Sequence, residues 1–203
     1  MNEFEEGIYT TKVIFLGDNG VGKTLILTSI LNQKKSLPKN ATIFSKIFDK
    51  NDGSGEKLKI DFWDTIKQEN LNNIIPIYYK NAQVAIIVFD ITNRISFEKL
   101  DEIMRKVKDL SNPSIIVFLV GNKKDLAING NRVITEEEAE KFAKSIRAFY
   151  SEVSALNKEG INELINLIVS KVPKPSPDNQ VHRIYRVQPL QTNFCSRITC
   201  GAR

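Results

Sequence analysis

Gly17, Gly22, Lys23 and Thr24 stand at the spacing G-x-x-x-x-G-K-[ST], a combination of residue types suited to holding a polyphosphate. The glycines let the backbone turn tightly and bring successive N–H groups onto phosphate oxygens, at a helix N-terminus whose dipole already favours an anion. Lys23 adds a mobile positive charge for the terminal phosphates, and the Thr24 hydroxyl is suited to ligating the Mg²⁺ that accompanies them. Asn19, Gly20, Val21 and Leu25 complete the candidate contact set of this loop. An apolar run precedes it at Val13, Ile14, Phe15 and Leu16, and a helix-like stretch follows at residues 25–31. That is the strand, glycine-rich loop, helix order a phosphate cradle requires.

A second constellation addresses the base. Asn122, Lys123, Lys124 and Asp125 follow the apolar segment 115–120 and Gly121, so they lie outside the carboxyl end of a buried strand, where open α/β sheets bind ligands. A carboxylate such as Asp125 can accept both the ring N–H and the exocyclic amine of guanine, whereas adenine offers no matching pair. Asn122 can bond both the ligand and neighbouring loops, and the Lys123 stem can cover one face of the ring. An N-K-x-D tetrapeptide alone is a weak signal; about one hundred residues downstream of a phosphate loop it becomes a strong one.

These residues need a scaffold. Apolar runs of strand length alternate with amphipathic stretches of helix length, which predicts a mostly parallel sheet covered by helices on both faces. Strands are expected near 10–16, 43–50, 56–63, 83–90, 114–120 and 148–153, and helices near 22–33, 70–80, 95–110, 135–147 and 159–171. The turn-rich segment 51–55 makes the second and third strands an antiparallel hairpin at one edge. The expected fold class is therefore α/β: three layers, a six-stranded sheet with one antiparallel edge strand, and five helices. Thr135 followed by Glu138 has the spacing of a capping box. After Val172, the alternating prolines 173, 175 and 177 stop the last helix and favour extended chain, dividing the molecule into a folded unit over 1–172 and a tail over 173–203.

With 203 residues, the chain can bury one sizeable core. Its longest apolar runs are of strand length, and the acidic N-terminus lacks the pattern of a signal peptide, so a cytosolic protein is expected. The net charge of +5 resides mostly in the tail, where residues 173–203 hold five basic residues against one acid. The folded unit is left nearly neutral. This distribution argues against a nucleic-acid face and for a tail attracted to an anionic membrane surface. Cys195 and Cys200, both near the end, cannot staple a core.

Beyond these two motifs, the chain contains Thr42, Trp63-Asp64-Thr65 followed by Gln68-Glu69, Tyr78-Tyr79-Lys80-Asn81-Ala82, Phe89-Asp90-Ile91-Thr92-Asn93, Ser96-Phe97 and Ser154-Ala155. From about residue 9 to 172 it resembles the Ras superfamily of small GTPases, particularly the Rab branch. The resemblance implies a G domain that binds Mg²⁺ with GTP or GDP and cycles between the two forms. Thr24 and Thr42 would ligate the metal, and Asp64 would hold it through water. Lys23 and Gln68 would serve hydrolysis, Gln68 by orienting the attacking water. Ser154, Ala155 and Leu156 would form the loop whose backbone N–H reads the guanine oxygen. Also implied are an exchange factor, an activating protein and effectors as partners, and a role in vesicle traffic on the cytosolic face of endomembranes. The tail would anchor there through a prenyl group on Cys200, although Gly201 and Arg203 match that lipidation motif only partly.

The chain also departs from the family pattern. Ile66 and Lys67 stand where alanine and glycine are expected, and Lys67 keeps a backbone N–H for the γ-phosphate while restricting φ and ψ. Phe44 replaces a usual glycine, Leu156 a usual lysine, and residues 32–41 contain no aromatic to lie over the guanine. Asn19 occupies a position where a side chain can impede an arginine finger. These features set a second reading beside the switching enzyme: a GTP-binding interaction module with slow or absent hydrolysis.

Overall fold

In the computed structural model the described residues are 8–33, 43–50, 53, 55–64 and 76–173. Thr42, Ile66, Lys67, Gln68, Cys195 and Cys200, six residues on which sequence expectations rest, lie outside them. Six strands, β1 (Ile8–Gly17), β2 (Ile43–Asp49), β3 (Lys57–Asp64), β4 (Val84–Asp90), β5 (Ile116–Asn122) and β6 (Phe149–Glu152), form one sheet in the order β2-β3-β1-β4-β5-β6. Only the β2–β3 pair is antiparallel, so the expected edge hairpin is present. The chain departs from β1 toward β3 on one side and β4 on the other, and the loop after β1 therefore sits at a topological switch point.

β4 is apolar up to its last residue, Asp90, because both its faces are covered. Every residue of β4 is buried. Val84, Ile86 and Val88 pack with Phe15, with Ile26 and Leu27 of α1 (Lys23–Ile30), and with Leu164 and Ile168 of α6 (Ile161–Lys171). Ala85, Ile87 and Phe89 face the opposite layer, meeting Leu100 and Ile103 of α3 (Leu100–Leu110) and Ala139 of α5 (Glu136–Ser145). Each fully buried aliphatic side chain of this kind contributes about 1.5–3 kcal/mol. Edge strand β2 instead alternates exposed and half-buried residues. There Phe44, the residue in place of a glycine, is half-buried against the first layer.

Register brings the functional ends of the strands into line. Phe15 pairs with Asp64, Gly17 with Val88, Asp90 with Asn122, and Gly121 with Glu152.

Several boundaries differ from expectation. β5 runs two residues further than predicted, making Asn122 its last residue rather than part of a following loop. The single helix expected over 95–110 is divided at Lys99 into α2 (Arg94–Glu98) and α3. The first of these is capped by Asn93, whose side chain accepts the Ile95 N–H at 3.0 Å. A short α4 (Lys124–Leu126) and a π-helical turn (Ala127–Asn131) follow β5 and had no counterpart in the sequence reading. Of the helix expected over 70–80, only 76–80 is described, and it forms turns in which the Tyr79 and Lys80 N–H groups both donate to the Pro76 carbonyl. Pro76 lacks a backbone N–H and biases its predecessor away from helix. The capping expectation at Thr135 holds: its hydroxyl accepts the Glu138 N–H at 3.2 Å.

Candidate nucleotide-binding site

The phosphate loop begins inside β1. At Gly17, φ is +144° and a Cβ would lie 2.3 Å from the Val88 carbonyl oxygen, so a side chain cannot enter without moving the neighbouring strand. At Gly22, φ is +98° and a Cβ would lie 2.2 Å from Asn122 Nδ2. Gly22 caps α1, whose first residues are Lys23 and Thr24. Asn19 and Gly20 are exposed at the tip of the loop, Val21 is buried beneath it, Thr24 is half-buried, and Leu25 is exposed.

The Lys23 ammonium donates to the carbonyls of Gly17 at 3.0 Å and Asp18 at 2.7 Å. Burial lowers its pKa, while the charges of Asp64 and Asp18 act in the opposite direction. Asp64 is fully buried at the end of β3. A second lysine reaches the loop from the α2–α3 junction: Lys99 Nζ donates to Asp18 Oδ2 at 2.8 Å. Burial alone would push the Asp18 carboxyl up, but the bonds from Lys99 and the Asn19 backbone, with the charges of Lys99 and Lys23, bring it below the ordinary range.

At the other end of the site Asn122 is 2% exposed and serves two loops. Its Nδ2 donates to the Val21 carbonyl at 2.8 Å, and its Oδ1 accepts the Ala155 N–H at 3.1 Å. The backbone N–H expected to read a guanine oxygen is thus, at Ala155, already donated to Asn122. Lys123 takes the left-handed conformation, φ +71°, and pairs with Asp90 at 2.6 Å. Asp90 Oδ1 also accepts from the Thr92 N–H and hydroxyl at 2.9 and 2.6 Å. Burial would raise the Asp90 pKa; the Lys123 and Thr92 hydrogen bonds outweigh it and bring it below the usual carboxylate range. The Ser154 hydroxyl donates to Asp125 Oδ1 at 2.6 Å and accepts the Asn157 N–H at 3.1 Å. Ser29 of α1 closes the ring by donating to the Ala155 carbonyl at 3.0 Å. Leu156 stands 69% exposed beside this loop.

The fold therefore brings together residues 17–25, 122–125 and 154–156, with Asp64 beside Lys23. Thr42, Lys67 and Gln68 are the members of the expected set outside the described residues. Among those described, no group of three or more His, Cys, Asp or Glu forms a metal site. The Thr24 hydroxyl and the buried Asp64 carboxylate nevertheless fit Mg²⁺, a hard cation that commonly takes one or two protein oxygens and completes its shell with water and substrate phosphates.

Sequence reading missed four participants. Asp90 had a signal, a carboxylate ending an otherwise apolar strand, but was noted only as part of a family segment. Nothing local distinguishes Lys99 or Ser29 from an ordinary helix-surface residue. Arg132 was missed as well; it donates to both oxygens of Glu152, at 2.8 and 2.6 Å, just before the Ser154 loop.

A family model described as the Ras family matches residues 12–174. The chain is 34% identical over 170 residues to Ras-related protein RABF2b of Arabidopsis thaliana, covering 82% of each chain. It is 38% identical over 170 residues to Ras-related protein Rab-18 of Caenorhabditis elegans, covering 80% of each. Against Ras-related protein RGP2 of Oryza sativa subsp. japonica the figure is 33% over 165 residues, 81% of this chain and 75% of that one. A glycine-rich loop at the switch point of this six-stranded sheet, bonded to Asn122 of the candidate base-reading segment, and matches of this extent together make the chain a member of the Ras superfamily of small GTPases, of Rab type.

Proposed function

We propose that the protein binds GTP and GDP with Mg²⁺, hydrolyses GTP to GDP and phosphate, and uses the difference between the two states to select partners in vesicle traffic. The observation that carries this reading is the pair of bonds made by Asn122. They hold the phosphate cradle and the base-reading loop as one unit, suited to a single ligand with a polyphosphate at one end and a purine at the other.

Asp125, steadied by the Ser154 hydroxyl, accepts the guanine ring N–H and exocyclic amine. The Asp90 pair fixes the Lys123 ammonium, leaving its stem to cover the ring. An ammonium has three protons; two of those on Lys23 go to loop carbonyls, and the third serves a phosphate oxygen. Thr24, Asp64 and, on the family pattern, Thr42 would hold Mg²⁺, which supplies positive charge against the negative charge of the phosphates. In hydrolysis, water oriented by Gln68 attacks the γ-phosphorus. The bond to the β-bridging oxygen breaks, GDP leaves with the electron pair, and the water's proton passes to the released phosphate.

The functional unit is residues 1–172, and residues 173–203 form a basic tail for a cytosolic membrane surface, with Cys200 as the prenylation site. Among the described residues no helix is long and apolar enough to cross a membrane. An exchange factor, an activating protein and effectors would read the switch from the cytosolic face of endomembranes.

Single-turnover GTP hydrolysis, with parallel release of labelled GTP and GDP, tests the proposal. Measurable hydrolysis abolished by Gln68→Leu supports the switch. Nucleotide binding without hydrolysis, unaffected by that change, favours the interaction module that Ile66 and Lys67 suggest. Asp125→Asn supplies the base test: it should lose guanine and gain xanthine nucleotides, because xanthine presents a carbonyl where guanine has its amine.

A further inference from the structure

We infer that Lys99 is a positioning residue of the phosphate loop, holding the Asp18 carboxylate away from the phosphate-binding lysine and offsetting its charge. The inference rests on the reading that this loop takes the phosphates of a guanine nucleotide.

Asp18 grips two lysines with different atoms. Its backbone carbonyl accepts the Lys23 ammonium at 2.7 Å, and its side-chain Oδ2 accepts Lys99 at 2.8 Å from 81 residues away. An acid inside a polyanion cradle is otherwise an electrostatic liability. Its charge already acts on Lys23, and a carboxylate released from Lys99 would have Lys23 as its nearest cation in the loop, competing with phosphate for it. The Asp18 side chain is 20% exposed, so water screens this competition only in part. Lys99 sits where the α2–α3 break falls, and its own N–H bonds the Ile95 carbonyl, so its backbone is fixed while the stem spans to the loop.

The test measures the dissociation constant and release rate of N-methylanthraniloyl-GDP, in the presence of Mg²⁺, for the full chain and three variants. Lys99→Met should weaken binding roughly 5-fold, the equivalent of about 1 kcal/mol, and the loss should shrink as salt rises from about 0.05 to 0.5 M. Lys99→Arg should restore binding. Asp18→Asn combined with Lys99→Met should also restore it, because removing the acid removes the need for its counter-charge; a purely structural Lys99 would gain nothing from that second change. Unchanged binding in Lys99→Met, or a deficit that Asp18→Asn leaves in place, overturns the inference. A wild-type chain that binds the probe in none of these conditions overturns the nucleotide reading itself, and is distinguishable because no variant is needed to see it.

Discussion

The two ends of the site are built by different means. At the base-reading end, side chains bond to distant backbone: Asn122 reaches Val21 across 101 positions and Ala155 across 33, and Ser29 reaches Ala155 across 126. At the phosphate end, Lys23 rests on carbonyls only five and six positions away, in a loop shaped by glycine conformations. The first end ties the Val21 and Ala155 loops to the end of β5 through two buried bonds, each expensive to leave unmade. The second is a local turn at the end of β1, its lysine bonded to carbonyls of the same loop. A ligand spanning both would meet contacts built by long-range bonds at one end and by a local turn at the other.

The largest break in this contrast is expected from Gly22→Ala, which damages both ends at once. The left-handed conformation costs a side chain about 1–3 kcal/mol, and the new methyl would collide with Asn122 Nδ2. Stability should fall by roughly 4 kcal/mol with the Asn122 bond included, and fluorescent GDP should dissociate more than about 100-fold faster; near-wild-type retention would refute the shared clamp. Asn122→Ala leaves the loop glycines in place and cuts the tie between the two ends, stranding the Val21 carbonyl and the Ala155 N–H. About 3 kcal/mol is expected, seen as a fall in melting temperature of roughly 6–12 °C for a domain of this size.

Arg132→Met sharpens the comparison by loosening the strand that carries the Ser154 loop, with an expected cost of about 2 kcal/mol. Glu152 adds a pH signature. Burial would raise its pKa, but the Arg132 and Tyr150 hydrogen bonds hold it below the usual value. A carboxylate depressed in the folded state stabilises above its unfolded pKa of about 4.3, and that contribution is lost as pH falls through the lower folded value. The stability gap between wild type and Arg132→Met should therefore narrow from about pH 5 toward pH 3, measurable by urea unfolding. Ser29→Ala should have the smallest effect, about 1 kcal/mol for one neutral hydrogen bond, with GDP release faster but hydrolysis of bound GTP unchanged.

What was legible beforehand follows the same division. Gly17, Gly22, Lys23 and Thr24 mark a candidate phosphate turn because such a turn is a local structure with fixed spacing, and the hairpin edge, the six strands and the Thr135 cap are local too. Less visible was the extent of β5, since hydrogen-bonding registers, not apolar content, carry that strand through Gly121 to Asn122. Of the helical run expected over 70–80, the described part forms turns on the Pro76 carbonyl.

By itself, then, the sequence determined the order of the strands and marked a candidate phosphate loop and a candidate guanine reader, because each depends on residue type and short spacing. Tertiary structure alone decided that Asn122 locks these motifs together, that Asp90 restrains Lys123, and that Lys99 reaches Asp18. Those contacts join residues up to 101 positions apart, and only strand order and register bring such residues within hydrogen-bond distance.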